Sequence, residues 1–197
     1  MQRHVVVIAG PSGSGKNAIL QALLSRFKNC TRLVTATTRA PREGENEGVD
    51  YYFLSPEKFK EKMANGLIPE HRFVEALGTY YGTYLPDLDK KLASGRVILA
   101  QIDVEGAEGA TMFKEKYGAV SIFILPGSAE EFEHRVRARN PNMSEDELRK
   151  RMHIAEIEMN EYARKYDYQI VNAQGKLEQT VDQISAILRA EGYKLKK

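Results

Sequence analysis

The sequence predicts an α/β protein built on a parallel β-sheet covered by helices, and two observations carry that expectation. Apolar, β-rich runs recur at 4–8, 97–102, 120–125 and 168–171, and the sequence between them is charged and periodic at helical spacing. The first run passes directly into a glycine-rich turn, Gly10-Pro11-Ser12-Gly13-Ser14-Gly15-Lys16, followed by a helical repeat of Ile19, Leu23 and Phe27.

Taken in order, the remaining elements carry their own signals. Ser55-Pro56-Glu57 opens a helix, with a capping hydroxyl and a proline in the first turn, and Phe59 and Met63 fall on one face. Leu85, Leu88 and Leu92 make a short helix that Gly95 stops. Ser144-Glu-Asp-Glu147 is a capping box; the helix it starts carries one apolar stripe of Leu148, Met152, Ala155, Met159 and Tyr162, which reads as core packing. Leu177, Val181, Ile184 and Leu188 mark the last helix. The stretch 35–84 is different, because Tyr51, Tyr52, Phe53, Tyr80, Tyr81 and Tyr84 lie there among glycines and β-formers. That composition predicts a small sheet inserted as a lobe between the first and second core strands.

The glycine turn is a phosphate cradle. Glycines let backbone N–H groups point inward around a polyphosphate, Lys16 adds a mobile positive charge, and the helix that follows presents its positive dipole end. The pattern is G-x-x-x-x-G-K, and the next position, ordinarily Ser or Thr with its hydroxyl on Mg²⁺, is Asn17. Nucleotide binding is therefore expected at residues 10–17.

Bulk properties bound the rest. The chain has 197 residues, 42% hydrophobic and 28% charged, enough to bury the core of one domain. A net charge of +2 excludes nucleic-acid binding by bulk electrostatics, and Lys194, Lys196 and Lys197 read as a solvated tail. The single cysteine, Cys30, cannot form an intramolecular disulfide, and the N-terminal apolar run is too short for a signal core or a membrane span. These features predict a cytoplasmic protein with no membrane and no nucleic-acid partner.

A second constellation is Thr37-Thr38-Arg39-Ala40-Pro41-Arg42, two guanidinium groups around a proline-stiffened turn, suited to gripping one phosphate. It is followed by Asp50-Tyr51-Tyr52-Phe53 and by Gly78-Thr-Tyr-Tyr81-Gly82-Thr83. With the cradle, the Ile102-Asp103-Val104-Glu105-Gly106 strand end, the basic run Arg135-Val-Arg137-Ala-Arg139 with Arg149-Lys-Arg151, and Ile170-Val171-Asn172, the chain resembles the guanylate kinases over nearly its whole length.

The resemblance implies a fold of the P-loop NTPase type: a core (1–34 and 85–197), an arginine-bearing lid at about 128–151 and a lobe (35–84) that binds GMP. It implies transfer of the ATP γ-phosphoryl group to GMP, with Mg²⁺ as cofactor and a monomer or homodimer as the working unit. Residues Gly10 to Asn17 would hold the ATP phosphates, with Lys16 catalytic, and Asn172 would lie near the ATP base. Arg39, Arg42, Tyr51 and Tyr81 would hold the GMP phosphate, Thr35 and Thr83 would face guanine O6, and Asp103 would face the guanine. Glu70 would accept from guanine N1–H and the 2-amino group, a donor pattern adenine lacks. The interval from Glu70 to Gly78 is longer than the family's usual spacing, which leaves Glu75 as a second candidate. Arg135, Arg139 and Arg151 would close over the triphosphate, with Arg137 and Arg149 left as surface charges.

Two departures from the family pattern fall on the same ion. Asn17 replaces a hydroxyl ligand of Mg²⁺, and Gln101 replaces an aspartate that reaches the metal through water, so both amides predict weaker metal affinity. Two other readings stay open: a guanylate-kinase-like binding module with weak or no catalysis, and a kinase for a sugar phosphate. The intact Lys16 and acceptor set argue against the first, and Glu70 with Thr83 against the second.

Overall fold

The central strand is the apolar run after His4. In β1 (Val5–Ala9) every residue is fully buried, because both faces of the strand are covered. The computed structural model describes residues 3–102 and 107–197. Beside β1 lie β7 (Val97–Gln101) and β8 (Val120–Pro126), and the sheet is completed by β2 (Cys30–Arg32) and β9 (Tyr168–Asn172) in the order β2-β7-β1-β8-β9, all parallel. Four of these strands are the predicted apolar runs. The fifth, β2, carries no apolar pattern of its own; Cys30-Thr-Arg32 is a strand because it pairs with Val97–Leu99.

Side-chain alternation along β1 divides the core in two. Val6 and Ile8 pack against α1 (Lys16–Arg26) and α7 (Leu177–Ala190), through Ile19, Leu20, Leu23, Val181, Ile184 and Leu188. Val5, Val7 and Ala9 point the other way, toward Leu88 of α3 (Leu85–Ala93) and Phe113 of α4 (Ala107–Tyr117). Phe27 belongs to the first cluster but not to α1: its backbone is extended at the helix C-cap, so the third residue of the expected helical repeat is buried by the chain's exit and not by the helix.

A second, four-stranded sheet is formed within 36–82 by β3 (Ala36–Thr37), β4 (Tyr52–Phe53), β5 (His71–Val74) and β6 (Thr79–Gly82), in the order β4-β3-β6-β5. Helix α2 (Pro56–Ala64) covers it with Phe59, which is fully buried and stacks on Tyr80 at 5.4 Å between ring centroids. Ser55 caps α2 by accepting from the Lys58 N–H, as its sequence predicted.

After β8 come α5 (Ala129–Arg139) and α6 (Glu145–Ile157), held together by a small apolar cluster of Phe132, Val136, Leu148 and Ala155. The capping box at Ser144 and Glu147 is formed in both directions. The predicted stripe does not run to Tyr162 as regular helix: α6 gives way to a π-helical turn at Glu158–Tyr162, which rotates Met159 and Tyr162 onto the main core beside Ala163 and Tyr166.

The C-terminal lysines have solvated side chains, as the sequence predicted, but the backbone that carries them is tied down. Tyr193 is buried, and its hydroxyl donates to the Val5 carbonyl and accepts from the Val120 N–H, bridging two core strands; burial pushes its pKa up to about 12. Beyond it the backbone of Lys194 and Lys196 is tied to Lys28 and Asn29 at 2.7–2.9 Å, while the lysine side chains stay exposed. Among the described residues no helix is long and apolar enough to cross a membrane.

The two sheets are joined by a buried carboxylate. Asp87 on α3 is 3% exposed, accepts from the Val34 N–H at 2.9 Å and the Tyr52 hydroxyl at 3.0 Å, and is ion-paired with Lys91. The Tyr52 hydroxyl is raised to about 12, by burial first and then by this carboxylate. Removing the acceptor leaves three donors facing a dry site. Asp87→Ala is expected to lower stability by about 3 kcal/mol, read by urea unfolding; an unchanged midpoint would show that the junction contributes nothing.

Candidate phosphoryl-transfer site

The glycine loop occupies the carboxyl end of β1, and its path depends on positions that only glycine fills. Gly10 has φ 141°, and a Cβ there would stand 2.4 Å from the Ile124 carbonyl oxygen. Gly15, the N-cap of α1, has φ 96°, and its Cβ would lie 2.2 Å from the Asn172 amide nitrogen. Lys16 folds back over the loop, its ammonium donating to the carbonyls of Gly10 and Pro11, the latter at 2.9 Å.

Two side chains from other elements hold the loop from behind. Asn172, at the end of β9, donates to the Ser14 carbonyl at 2.9 Å and accepts from Thr180 at 3.3 Å. Its side chain is buried and supports the cradle, and the residue lies at the edge of the hollow beside the loop. Arg135 on α5 donates to the carbonyls of Asn172 at 2.9 Å and Ser14 at 3.4 Å. These contacts bring α5 down on the loop, where a Cβ on Gly13 would stand 3.2 Å from Phe132 and 3.3 Å from Val136.

The result is a cavity of about 550 Å³ lined by the loop, Lys16, Asn17, Arg72, Gln101, Arg135, Arg139 and Glu158. A neighbouring hollow of about 560 Å³ runs from Gly15 past His134 and Ala138 to Asn172–Gly175. Arg151, expected to join Arg135 and Arg139, is exposed on α6 and lines neither space. Arg137 and Arg149 are surface charges as expected, paired with Glu133 and Glu145 and with Asp146.

On the other side of Arg72 and Gln101 lies a smaller cavity of about 120 Å³. Thr35, Tyr51, Glu70, Tyr81 and Thr83 line it together, with Arg32 added. Glu70 accepts from the Thr83 hydroxyl at 2.7 Å, and the Thr83 N–H donates to the Glu70 carbonyl at 3.0 Å, so this carboxylate is oriented by the residue proposed to share its ligand. Glu75 sits exposed in a 3₁₀ turn at 75–77 and is not on the cavity wall. Asp103 lies outside the described residues.

Arg39 departs from the two-arginine grip read from the sequence. Its fork closes on Glu45 with two bonds of 2.9 Å, its guanidinium lies 5.5 Å from the Tyr51 ring centre, and Arg42 is exposed with its backbone N–H donating to Glu45 at 2.7 Å. The Glu45 bonds hold the Arg39 pKa above its ordinary value, and Arg39 in turn holds the Glu45 carboxyl low. A carboxylate has the planar two-oxygen shape the fork accepts. Sequence reasoning missed Glu45, although an acid three residues after Arg42 was the available signal. It also missed Arg32 and Arg72, which look like ordinary surface charges until β2 and β5 bring them to one wall.

The parallel sheet and the glycine cradle define a P-loop kinase fold. A shikimate kinase from Bacteroides thetaiotaomicron shares that fold at 14% identity, with a TM-score of 0.54, over 94% of this chain and 98% of that one. The chain belongs to the guanylate kinase family, whose model matches residues 2–191. A guanylate kinase from Clostridium perfringens (strain SM101 / Type A) is 42% identical over 188 residues, covering 95% of this chain and 83% of that protein. One from Prochlorococcus marinus (strain MIT 9312) is 38% identical over 172 residues, covering 87% and 90%. Among solved structures, guanylate kinase from Anaplasma phagocytophilum aligns with a TM-score of 0.69 and 35% identity over 98% of this chain and 88% of that one.

Gly15→Ala is expected to abolish ATP binding in calorimetry while the protein still unfolds cooperatively, because the added methyl must displace Asn172 from the loop. ATP affinity within about threefold of wild type would mean that the Asn172 contact is dispensable.

Proposed function

We propose that this protein transfers the γ-phosphoryl group of ATP to GMP, forming ADP and GDP. The observation that carries the reading is the shared wall: the glycine-loop cavity and the cavity holding Glu70, Thr83, Tyr51 and Tyr81 meet at Arg72 and Gln101. ATP binds with its phosphates in the loop of residues 10–17. GMP binds in the lobe of residues 35–84, with its base at Glu70 and Thr83 and its phosphate toward Tyr51, Tyr81, Arg39 and Arg42. A GMP phosphate oxygen then attacks Pγ, and the bond from Pγ to the β,γ-bridging oxygen breaks.

The residues present fit a metal carried by the nucleotide. Among the described residues no group of three or more His, Cys, Asp or Glu side chains could hold an ion, while Asn17 and Gln101 offer amide oxygens on the cavity wall. Asn17, with Gln101 further along the wall, would help hold a Mg²⁺ brought by the ATP phosphates, and that ion would supply neutralisation of their negative charge. Lys16 and Arg139 add fixed positive charge where negative charge redistributes, and the segment 128–151 that carries Arg139 works as a lid excluding water. Before GMP can take both arginines, Arg39 must exchange Glu45 for phosphate, one bidentate anion for another.

The reading is tested by a coupled assay with ATP and Mg²⁺ offering GMP, AMP, IMP and dGMP. GMP is expected to exceed AMP by up to about 10⁴ in kcat/KM, since adenine lacks the N1–H and 2-amino donors that a guanine would give to Glu70. Equal turnover of the two, or none at millimolar Mg²⁺, overturns it. Lys16→Ala and Arg139→Ala are expected to lower kcat by roughly 10²-fold or more, whereas Arg39→Ala raises the KM for GMP about tenfold with kcat nearly kept. In a Mg²⁺ titration, Asn17→Ser and Gln101→Asp are each expected to lower the concentration giving half-maximal rate, with a non-additive double variant because both act on one ion. Four superimposable titration curves would remove both residues from the metal's energetics.

A further inference from the structure

Arg72 belongs to no motif of the sequence, yet its position is specific. On β5 it pairs in register with Tyr81, and the next pair, Phe73 with Tyr80, points to the opposite face, where the two rings lie 4.6 Å apart and Tyr80 stacks on Phe59. The pleat therefore sends Arg72 to the same face as Tyr81, which lines the acceptor cavity. Among the described residues, Arg72 and Gln101 are the two that line both the acceptor cavity and the glycine-loop cavity. They mark the boundary between the two cavities.

We propose that Arg72 is a further catalytic residue, whose guanidinium contacts the γ-phosphoryl group and the acceptor phosphate at once. The proposal rests on the reading that ATP and GMP fill these two cavities. Two anions brought into bonding distance repel each other, and the group best able to offset this is a cation within reach of both. A planar fork with five donors can bond oxygens of each anion, whereas an ammonium acts as a point charge. Gln101, beside it, is neutral and supplies a donor without charge. The strongest interaction arises while the phosphoryl group is between the two oxygens, so Arg72 acts mainly on turnover. Its backbone is held in register with Tyr81 by the pairing of β5 with β6.

Calorimetry on the intact chain tests this with three probes: a non-hydrolysable ATP analogue, GMP, and an adenosine–guanosine dinucleotide joined by five phosphates, which spans both cavities. For Arg72→Ala the dinucleotide is expected to bind about 10- to 100-fold more weakly, each single nucleotide to stay within about threefold, and kcat to fall by at least tenfold. Arg72→Lys is expected to recover part of the dinucleotide affinity. Unchanged dinucleotide affinity in Arg72→Ala, or equal loss for all three probes, overturns the proposal. Failure of the wild-type protein to bind GMP while it binds the ATP analogue overturns the acceptor reading itself, and the proposal with it.

Discussion

The carbonyl of Ser14 is pulled outward by two donors, the Asn172 amide at 2.9 Å and Arg135 at 3.4 Å, and the shape of the glycine loop follows from that. With the carbonyl turned away, the backbone N–H groups of the loop face the cavity, where anions are stabilised by them and by the helix dipole. The donors come from β9 and α5, so the cradle closes only when the far edge of the sheet and the segment after β8 are in place. Glycine at position 15 is the counterpart of this arrangement, since Asn172 occupies the volume a Cβ would take.

The acceptor side is organised by anions. Asp87 draws the Val34 N–H, the Tyr52 hydroxyl and Lys91 onto one buried point, which fixes the smaller sheet against α3. Glu45 draws Arg39 and the Arg42 backbone together, so the turn that carries both arginines is already folded around an anion of phosphate-like shape. Glu70 is held by Thr83 through side chain and backbone at once. Each carboxylate limits the freedom of groups that must otherwise be ordered when a ligand binds, which lowers the entropy lost at that step. On the donor side the glycine backbone and the helix dipole are the main anion-binding elements.

The segment from α5 to the π-helical turn shows a third pattern. Its own apolar cluster of Phe132, Val136, Leu148 and Ala155 is small, and Met159 and Tyr162 join it to the main core. Regular helix would carry Glu158 and Met159 around a different angle. The π turn places Met159 in the core while Glu158 lines the glycine-loop cavity. Arg135 and Arg139 thus ride on an element joined to the core by few buried contacts, the condition under which local motion is least costly.

Four of the five core strands, the cradle and most helix starts were legible in the sequence, because each rests on local chemistry: apolar runs, glycine spacing, a capping box, proline at a first turn. The resemblance to guanylate kinases was legible for the same reason, since its motifs are short and contiguous. What tertiary structure alone decided depends on pairs distant in the chain. β2 has no strand signal until β7 pairs with it, and Phe27 leaves α1 because the core takes it from an extended segment. The C-terminal lysines are solvated as their sequence suggests, but the anchoring of their backbone by Asn29 is a tertiary contact that the sequence does not show. Glu70 reached the acceptor cavity and Glu75 did not, a choice made by the pairing of β5 with β6 and invisible in spacing. Arg151 and Arg72 are identical charges in sequence, yet β5 brings Arg72 to the wall between two cavities while Arg151 on α6 lines neither. A charge is a local property, but what it faces is set by the packing of the whole chain.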